Sequence, residues 1–431
     1  MSTIPLALKA LGVAAGLSIF SAAAALYDPA EARNYYVSPS GDNSDGLSWQ
    51  TAYTQLPSMQ FGVSPLLPGD HVIVDGGTAG LTYGSGLTIS VSGVAGNPIV
   101  ITSSNDKGHN GTVTLSGRNG PGGQYQPVGI YLSGSNIKIA GTSRGGIKIS
   151  DCQFQGLSVS GNGNTLNNVA VQNVNGPPVN PGHIPGVALQ FAGDGNRYQN
   201  MDIYNATICA QEYASLNHSQ TTVFDGCWFF DNYSRGNSGL LISDNNSAST
   251  MYINNSVFGP GLGSALTSSA SAGQTHVRGC LFLNASAANI VVNGAAGSSA
   301  RFLVNKITSF MTDSNFQGLA HNCLSFNGNG ALKIDNSVFW GGSVNVGPDI
   351  PVKVSGNFQY KTRLNTQLLA PTMVDPQFAD EANIAALTGS SPLKSVAVEN
   401  FTLAQSSPAA GKGALVTAVS QLNKNVEGFF P

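Results

Sequence analysis

Between Gly186 and Asn245, in a chain of 431 residues of which only 10% are charged, side chains able to do acid–base chemistry gather. They are Glu212, His218, Arg235 and Asp244, with His183 just upstream in a proline-rich stretch. An imidazole such as His218 can remove a proton from carbon near neutral pH. A guanidinium such as Arg235 can neutralise a carboxylate on which charge builds during that step. Glu212 and Asp244 offer hard oxygen donors of the kind that hold Ca2+; no other cofactor is called for. Gln190, Tyr213 and Tyr233 stand near enough in the chain to join His183 in contacting a substrate. The competing reading is that all of these are ordinary solvated turn residues, so the decision rests on how the fold places them.

The elements that would place them form a repeat. Within Gly239–Asn284 two similar units follow one another, each with a short apolar strand, a polar turn, a second strand ending in a small-residue pair and a third short strand. The pairs are Asn254-Asn255 and Arg278-Gly279, 24 residues apart. A fixed period of this size marks a solenoid, in which each coil packs on its neighbours. First strands are expected to begin near Gly129, Gly156, Gly186, Tyr213, Gly239, Ala265, Asn289, Cys323 and Ser343. The corner between second and third strands should fall at Asn168, Asn200, Gly226, Asn255, Gly279, Asn305, Asn336 and Gly356. All eight are Asn or Gly, the residues that tolerate a left-handed backbone. Stacked Asn there can bond the next coil through its amide, a structural ladder. Two insertions, Asn175–Pro185 and Met311–Asn322, fall between a third strand and the following first strand. Loops on one side of an array often mark its working face.

Three further expectations concern the ends. Residues 1–32 read as a cleaved export signal: Lys9, an apolar run Leu11–Leu26, then Ala30-Glu31-Ala32 before Arg33. Ser48 can cap a helix through Leu56, with Trp49, Ala52, Tyr53 and Leu56 on one face, covering the first coil. The divisions are then residues 1–32 signal, 33–128 cap and first coils, 129–363 regular coils and 364–431 a segment capping the far end, with Leu364–Met373 and Val396–Leu403 as its apolar parts.

Composition narrows the partners. A formal net charge of −3 argues against a nucleic-acid binder and sits more easily with a neutral glycan or a weakly charged surface. No stretch after the signal is long and apolar enough to span a bilayer, and a monomer or weak oligomer is expected. Five cysteines cannot all pair internally. Cys227 and Cys280 would lie two coil rises apart, roughly 10 Å at strand spacing, too far for a disulfide, so they read as buried small hydrophobes. Phe224, Trp228, Phe229, Phe230 and Phe258 read as core stacks. Trp340 alternates against Phe339 and so faces outward.

The segments YYVSPSGDNSDGLSWQTAYTQL (residues 35–56), PGDHVIVDGGT (68–78) and GVAGNPIVITSS (93–104) resemble the opening of secreted parallel β-helix proteins of the pectin-lyase-like superfamily. Alginate lyases and chondroitinase B share this style of opening. Asp375-Pro376-Gln377-Phe378 and NFTLAQSSPAAGKG (400–413) resemble the usual close of such proteins. The resemblance implies an all-β, single-stranded right-handed parallel β-helix, exported to the periplasm or the extracellular space. It also implies an extracellular polysaccharide as partner, bound along the first strands and cleaved, in a lyase, by β-elimination. The Lys–Arg pair of the alginate-lyase type has no good counterpart; Arg301 and Lys306 are near one another but at the corner opposite the groove. The hydrolase motifs NxD, DD and GHG are missing, and Asp313, Asp335 and Asp349 read as isolated turn residues. The alternative is a non-catalytic surface, adhesion or matrix protein with a glycan-binding face.

Overall fold

The computed structural model describes residues 32–56, 66–119, 125–174, 186–213, 221–232, 238–243, 248–259, 261–294, 297–311, 321–360 and 363–364, with 403, 406–410 and 412–413 near the C-terminus. Short strands, each of two to seven residues, form three parallel sheets of 11, 12 and 11 strands. In each regular coil the chain visits them in turn. Sheet one takes strands such as Val128–Leu132, Gln155–Val159 and Val187–Phe191. Sheet two takes Ile137–Ala140, Thr165–Asn167 and Asn196–Gln199. Sheet three takes Ile147–Cys152, Val169–Val174 and Asp202–Ala206. Neighbours in a sheet therefore come from successive coils, and the winding is right-handed, the hand that twisted strands favour. The fold is a right-handed parallel β-helix.

Alternation along each strand fills the interior. In Thr221–Asp225 and Thr250–Asn254, Phe224 and Ile253 point in while Val223 and Tyr252 point out. Stacking in register puts like on like: Phe229, Phe258 and Phe282 lie face to face at 4.7 and 4.8 Å, the spacing of hydrogen-bonded strands. The expected core aromatics are all inside, Phe224, Phe229 and Phe258 fully and Trp228 and Phe230 nearly so. Ser309 takes the place of the next Phe and is buried with Asn289, whose amide donates to the Ser309 hydroxyl and to the Phe310 carbonyl, both at 3.0 Å. Trp340 alternates against Phe339 as expected, yet it is buried, stacked on Phe310 at 4.5 Å.

The corner between sheets two and three is the regular feature. Asn168, Asn200, Gly226, Asn255, Gly279, Lys306, Asn336 and Gly356 all have positive φ, between 48 and 66°. In each coil the N–H of this residue donates across the coil boundary. Asn168 reaches the Gln199 carbonyl, Asn255 that of Arg278 and Lys306 that of Asp335. The seventh corner is thus Lys306 and not Asn305, which ends the strand Arg301–Asn305. The amide ladder runs backward: Asn168 donates to the Gly141 carbonyl at 3.0 Å and Asn255 to Asp225 at 2.9 Å, each one coil earlier. The residue after the corner always points in. Cys227, Ser256 and Cys280 share this column, and all five cysteines are free and buried.

Three further expectations are corrected. Residues 48–56 form no α-helix. Ser48 and Thr51 tie a turn through their hydroxyls, and the chain then extends so that Tyr53 N–H donates to Tyr36 and Tyr53 C=O accepts from Ser38. The apolar spacing arises because Ala52 and Leu56 are buried while Trp49 lies over His109 at 4.0 Å. Asp335 is no turn residue; it ends a strand of sheet two and pairs with Lys333 at 2.6 Å. The fourth sheet-one strand of the regular region is Ile208–Glu212, ending before Tyr213 instead of starting there. Its apolar start matches Val187–Phe191 in register. Both insertions do separate a sheet-three strand from a sheet-one strand. The proposed signal, Asp313 and nearly all of the tail lie outside the described residues. Among its described parts, Gly413 donates to Asn336 at 2.8 Å and Lys412 reaches the Asn336 side chain at 2.6 Å. No helix among the described residues is long and apolar enough to cross a membrane.

Candidate functional site

His183, His218, Tyr233, Arg235 and Asp244 lie outside the described residues. The remaining three of the set are on or beside sheet one, and alternation separates them. Gln211, Glu212 and Tyr213 are consecutive, so Glu212 points opposite to its two neighbours. It occupies the inward register of Phe191 and is 3% exposed. Its carboxylate accepts the Ser243 N–H at 3.0 Å, and its backbone carbonyl accepts the Ser243 hydroxyl at 3.1 Å. Beside it is a cavity of about 10 Å³, lined in part by Thr222, Met251 and Thr275, room for a single water.

Glu212 is the one described carboxylate of the proposed Ca2+ pair, and it already serves a backbone donor. Among the described residues no three His, Cys, Asp or Glu side chains converge as a metal site. Ca2+ normally takes six to eight oxygens, so no chemical step is routed through such an ion.

The outward residues form a line. In register along the axis stand Tyr131, Ser158, Gln190, Gln211, Leu241, Thr267, Val291, Ser325 and Asn345. The line holds no charged residue. Gln190 accepts a hydrogen bond from the Gln155 amide, and Asn345 donates to Asn322 at 2.6 Å. Tyr131 is 42% exposed, and Tyr213, at the rim of the same sheet, is 62% exposed. The face therefore offers amides and hydroxyls at coil-rise spacing, about 4.8 Å, interrupted by Leu241 and Val291 and with Ser158 buried, and two tyrosine rings open to solvent.

Sheet two is different in kind, and sequence reasoning missed it. Its strands carry six Lys or Arg against two Asp: Lys138, Arg197, Arg278, Arg301, Lys333 and Lys353, with Asp225 and Asp335. Sheet three carries Lys148, Asp151 and Asp202, and sheet one carries Glu212 and Arg363. All six cations of sheet two are exposed. An open furrow of about 380 Å³ takes in two of them, lined by Tyr252, His276, Arg278, Asn305, Lys333 and Asp335. Its floor is Leu303, shorter than the residues before and after it in the register Tyr252, His276, Leu303, Lys333. Tyr252 and His276 stack at 4.9 Å to make one wall. Burial of the His276 ring lowers its pKa from the ordinary histidine value. The signal was present in the register itself, because every one of these cations falls in a second strand.

No protein-family model and no curated protein matches the chain. Solved structures do. Pectate lyase Pel9A matches over 87% of this chain and 88% of its own, at 18% identity and a TM-score of 0.52. XylC, solved in complex with xylose, matches over 83% of this chain and 80% of its own, at 9% identity and a TM-score of 0.53. An alginate lyase from Paenibacillus sp. matches at 15% identity, covering 72% of this chain and 94% of that one, with a TM-score of 0.43. At these identities the likeness is one of fold, the right-handed parallel β-helix.

Proposed function

We propose that the protein acts on an extracellular polysaccharide laid along the outer face of sheet one. The observation that carries this reading is the uncharged line through Gln190, Gln211, Thr267, Ser325 and Asn345, spaced by Leu241 and Val291, with the exposed Tyr131 at its start and Tyr213 at the rim. Sugar hydroxyls suit amide and hydroxyl partners, and a tyrosine ring gives an apolar platform with a polar edge. A glycan chain and this face both repeat along one direction. The pectate lyase likeness in fold, and the export signal read in the sequence, agree with a partner outside the cell.

The chemistry that fits the candidate residues is β-elimination on a uronate. His218 takes the proton on the carbon next to the carboxylate, and Arg235 neutralises that carboxylate as charge builds. The electron pair forms a carbon–carbon double bond as the glycosidic C–O bond breaks, and the leaving oxygen gains a proton. Gln190, Tyr213, His183 and Tyr233 hold the sugar, while Glu212, turned inward onto the Ser243 N–H, fixes the strand end instead of a cation.

The test incubates the full chain with alginate, pectate and chondroitin, with and without calcium, and follows the absorbance of unsaturated ends. Product is expected, with His218→Ala and Arg235→Ala removing it and Tyr213→Ala weakening binding about tenfold, the scale of losing one packed aromatic contact. Binding without product on any substrate leaves the non-catalytic adhesion reading. Neither binding nor product overturns the proposal.

A further inference from the structure

The exposed cations of sheet two continue into its last four strands. Each of its last four strands carries one: Arg278 in Gln274–Arg278, Arg301 in Arg301–Asn305, Lys333 in Ala331–Asp335 and Lys353 in Val352–Ser355. The strands are consecutive neighbours one coil rise apart, about 4.8 Å, and the register spreads the cations across the face: Arg278 closes its strand, Arg301 opens the next, and Lys333 and Lys353 share the middle column after Leu303. Lys333 is paired with Asp335. Among the described residues no acid pairs with Arg278, Arg301 or Lys353. Like charges gathered on one face repel one another, and the three unpaired ones bring the fold no ion pair. They gain when an anion of matching length lies over them.

We infer that this furrow is a second binding site, separate from sheet one, for an acidic polysaccharide whose carboxylates recur along the chain. The Leu303 floor and the stacked wall of Tyr252 and His276 give the sugar rings apolar contact, while Arg278 and Lys333 meet carboxylates inside the furrow and Arg301 and Lys353, on the same face, meet those beyond it. Asn305 adds an amide within the furrow. The chain as a whole carries a formal charge of −3, so dense phosphate charge is repelled beyond the furrow, and a more sparsely charged glycan is favoured over nucleic acid. The two faces are on different sides of the solenoid: a ligand on sheet one leaves sheet two open.

The experiment measures binding of polygalacturonate fragments to the full chain at two salt concentrations. It compares wild type with the triple variant Arg278→Gln, Arg301→Gln, Lys353→Gln, and with Tyr213→Ala on sheet one. Circular dichroism of the triple variant should match wild type, because all three side chains point to solvent. The expected result is at least tenfold weaker binding in the triple variant with a flattened salt dependence, while Tyr213→Ala retains the salt-dependent component. Fragments with reduced carboxyl groups should not compete for it. Unchanged binding in the triple variant overturns the site, as does loss of that component in Tyr213→Ala. Equal competition by duplex DNA of the same total charge overturns the assignment to a glycan. Failure of lyase activity or of sheet-one binding leaves this result untouched, so the two proposals fail separately.

Discussion

Arg144 and Asp202 are joined across an intervening coil: the Arg144 Nε donates to Asp202 Oδ1 at 2.7 Å, 58 residues further on. The same guanidinium donates to the carbonyls of Gly226 at 2.9 Å and Met201 at 3.1 Å. Both side chains are largely buried, 12% and 16% exposed. The six-residue excursion Gly141–Gly146, longer than the later corners, lets Arg144 reach this far.

Removing Arg144 therefore leaves a buried carboxylate without its main partner. Arg144→Ala should cost about 3–5 kcal/mol, the usual scale for breaking a buried pair. Burial raises the Asp202 pKa above the ordinary aspartate value, and Arg144 offsets this only in part. A raised folded pKa means that this group favours folding below the ordinary aspartate range and that the contribution is lost as pH rises through the folded pKa. Without Arg144 the shift grows, so the variant's deficit should be larger at pH 7 than at pH 4. Denaturant midpoints at the two pH values check this; equal deficits contradict it. Adding Asp202→Asn should recover part of the loss.

Lys306 is the one corner residue of the eight that is neither Asn nor Gly, and its φ is 53°. A side chain in that conformation costs about 1–2 kcal/mol. Lys306→Gly is expected to raise stability by about 1 kcal/mol after the entropy cost of glycine is counted. A lower unfolding midpoint in the variant would show that the Lys306 stem makes contacts that outweigh the strain.

Tyr198 is fully buried, stacked on Phe224 at 4.8 Å, and its hydroxyl has no partner among the described residues. Burial pushes its pKa far up. A buried hydroxyl without a partner costs about 1–3 kcal/mol, so Tyr198→Phe should fold with equal or greater stability. Destabilisation would mean that the hydroxyl is bonded in solution, most simply through an internal water.

The thiols of Cys152, Cys227, Cys280 and Cys323 are pushed up to about 12 by burial, and that of Cys209 is raised further. A thiol with so high a pKa is neutral at pH 8 and does not attack disulfides. Native protein should give no reaction with a disulfide reagent at pH 8, and five equivalents after unfolding, matching the five free cysteines. Fewer than five would reveal a disulfide.

The coil could be read from the sequence because its corner uses residues with a distinct backbone preference, Asn and Gly, at nearly every turn. Where lysine took that position the reading slipped by one residue. Where Ile208–Glu212 followed almost directly on Asp202–Ala206, the short interval hid the strand and Tyr213 took its place. The supposed helix at Trp49–Leu56 came from apolar spacing that a turn produces equally well. The polar cluster was legible as composition but not as geometry, since loop residues have no period and Glu212 turns inward between outward neighbours. The basic face of sheet two escaped because net charge averages over all sides of the molecule, whereas a solenoid sorts charge by side.

The constant corner between sheets two and three also decides where the chain can change length. From Asn168 to Gly356 each left-handed residue is followed by one inward residue and then by the sheet-three strand. One extra residue there would reverse the facing of the strand that follows, driving Phe258 or Phe282 into water. The other two corners vary freely in length from coil to coil. From Asn168 onward, insertions are therefore confined to the margins of sheet one, so new loops can accumulate around that face while the opposite edge keeps its spacing.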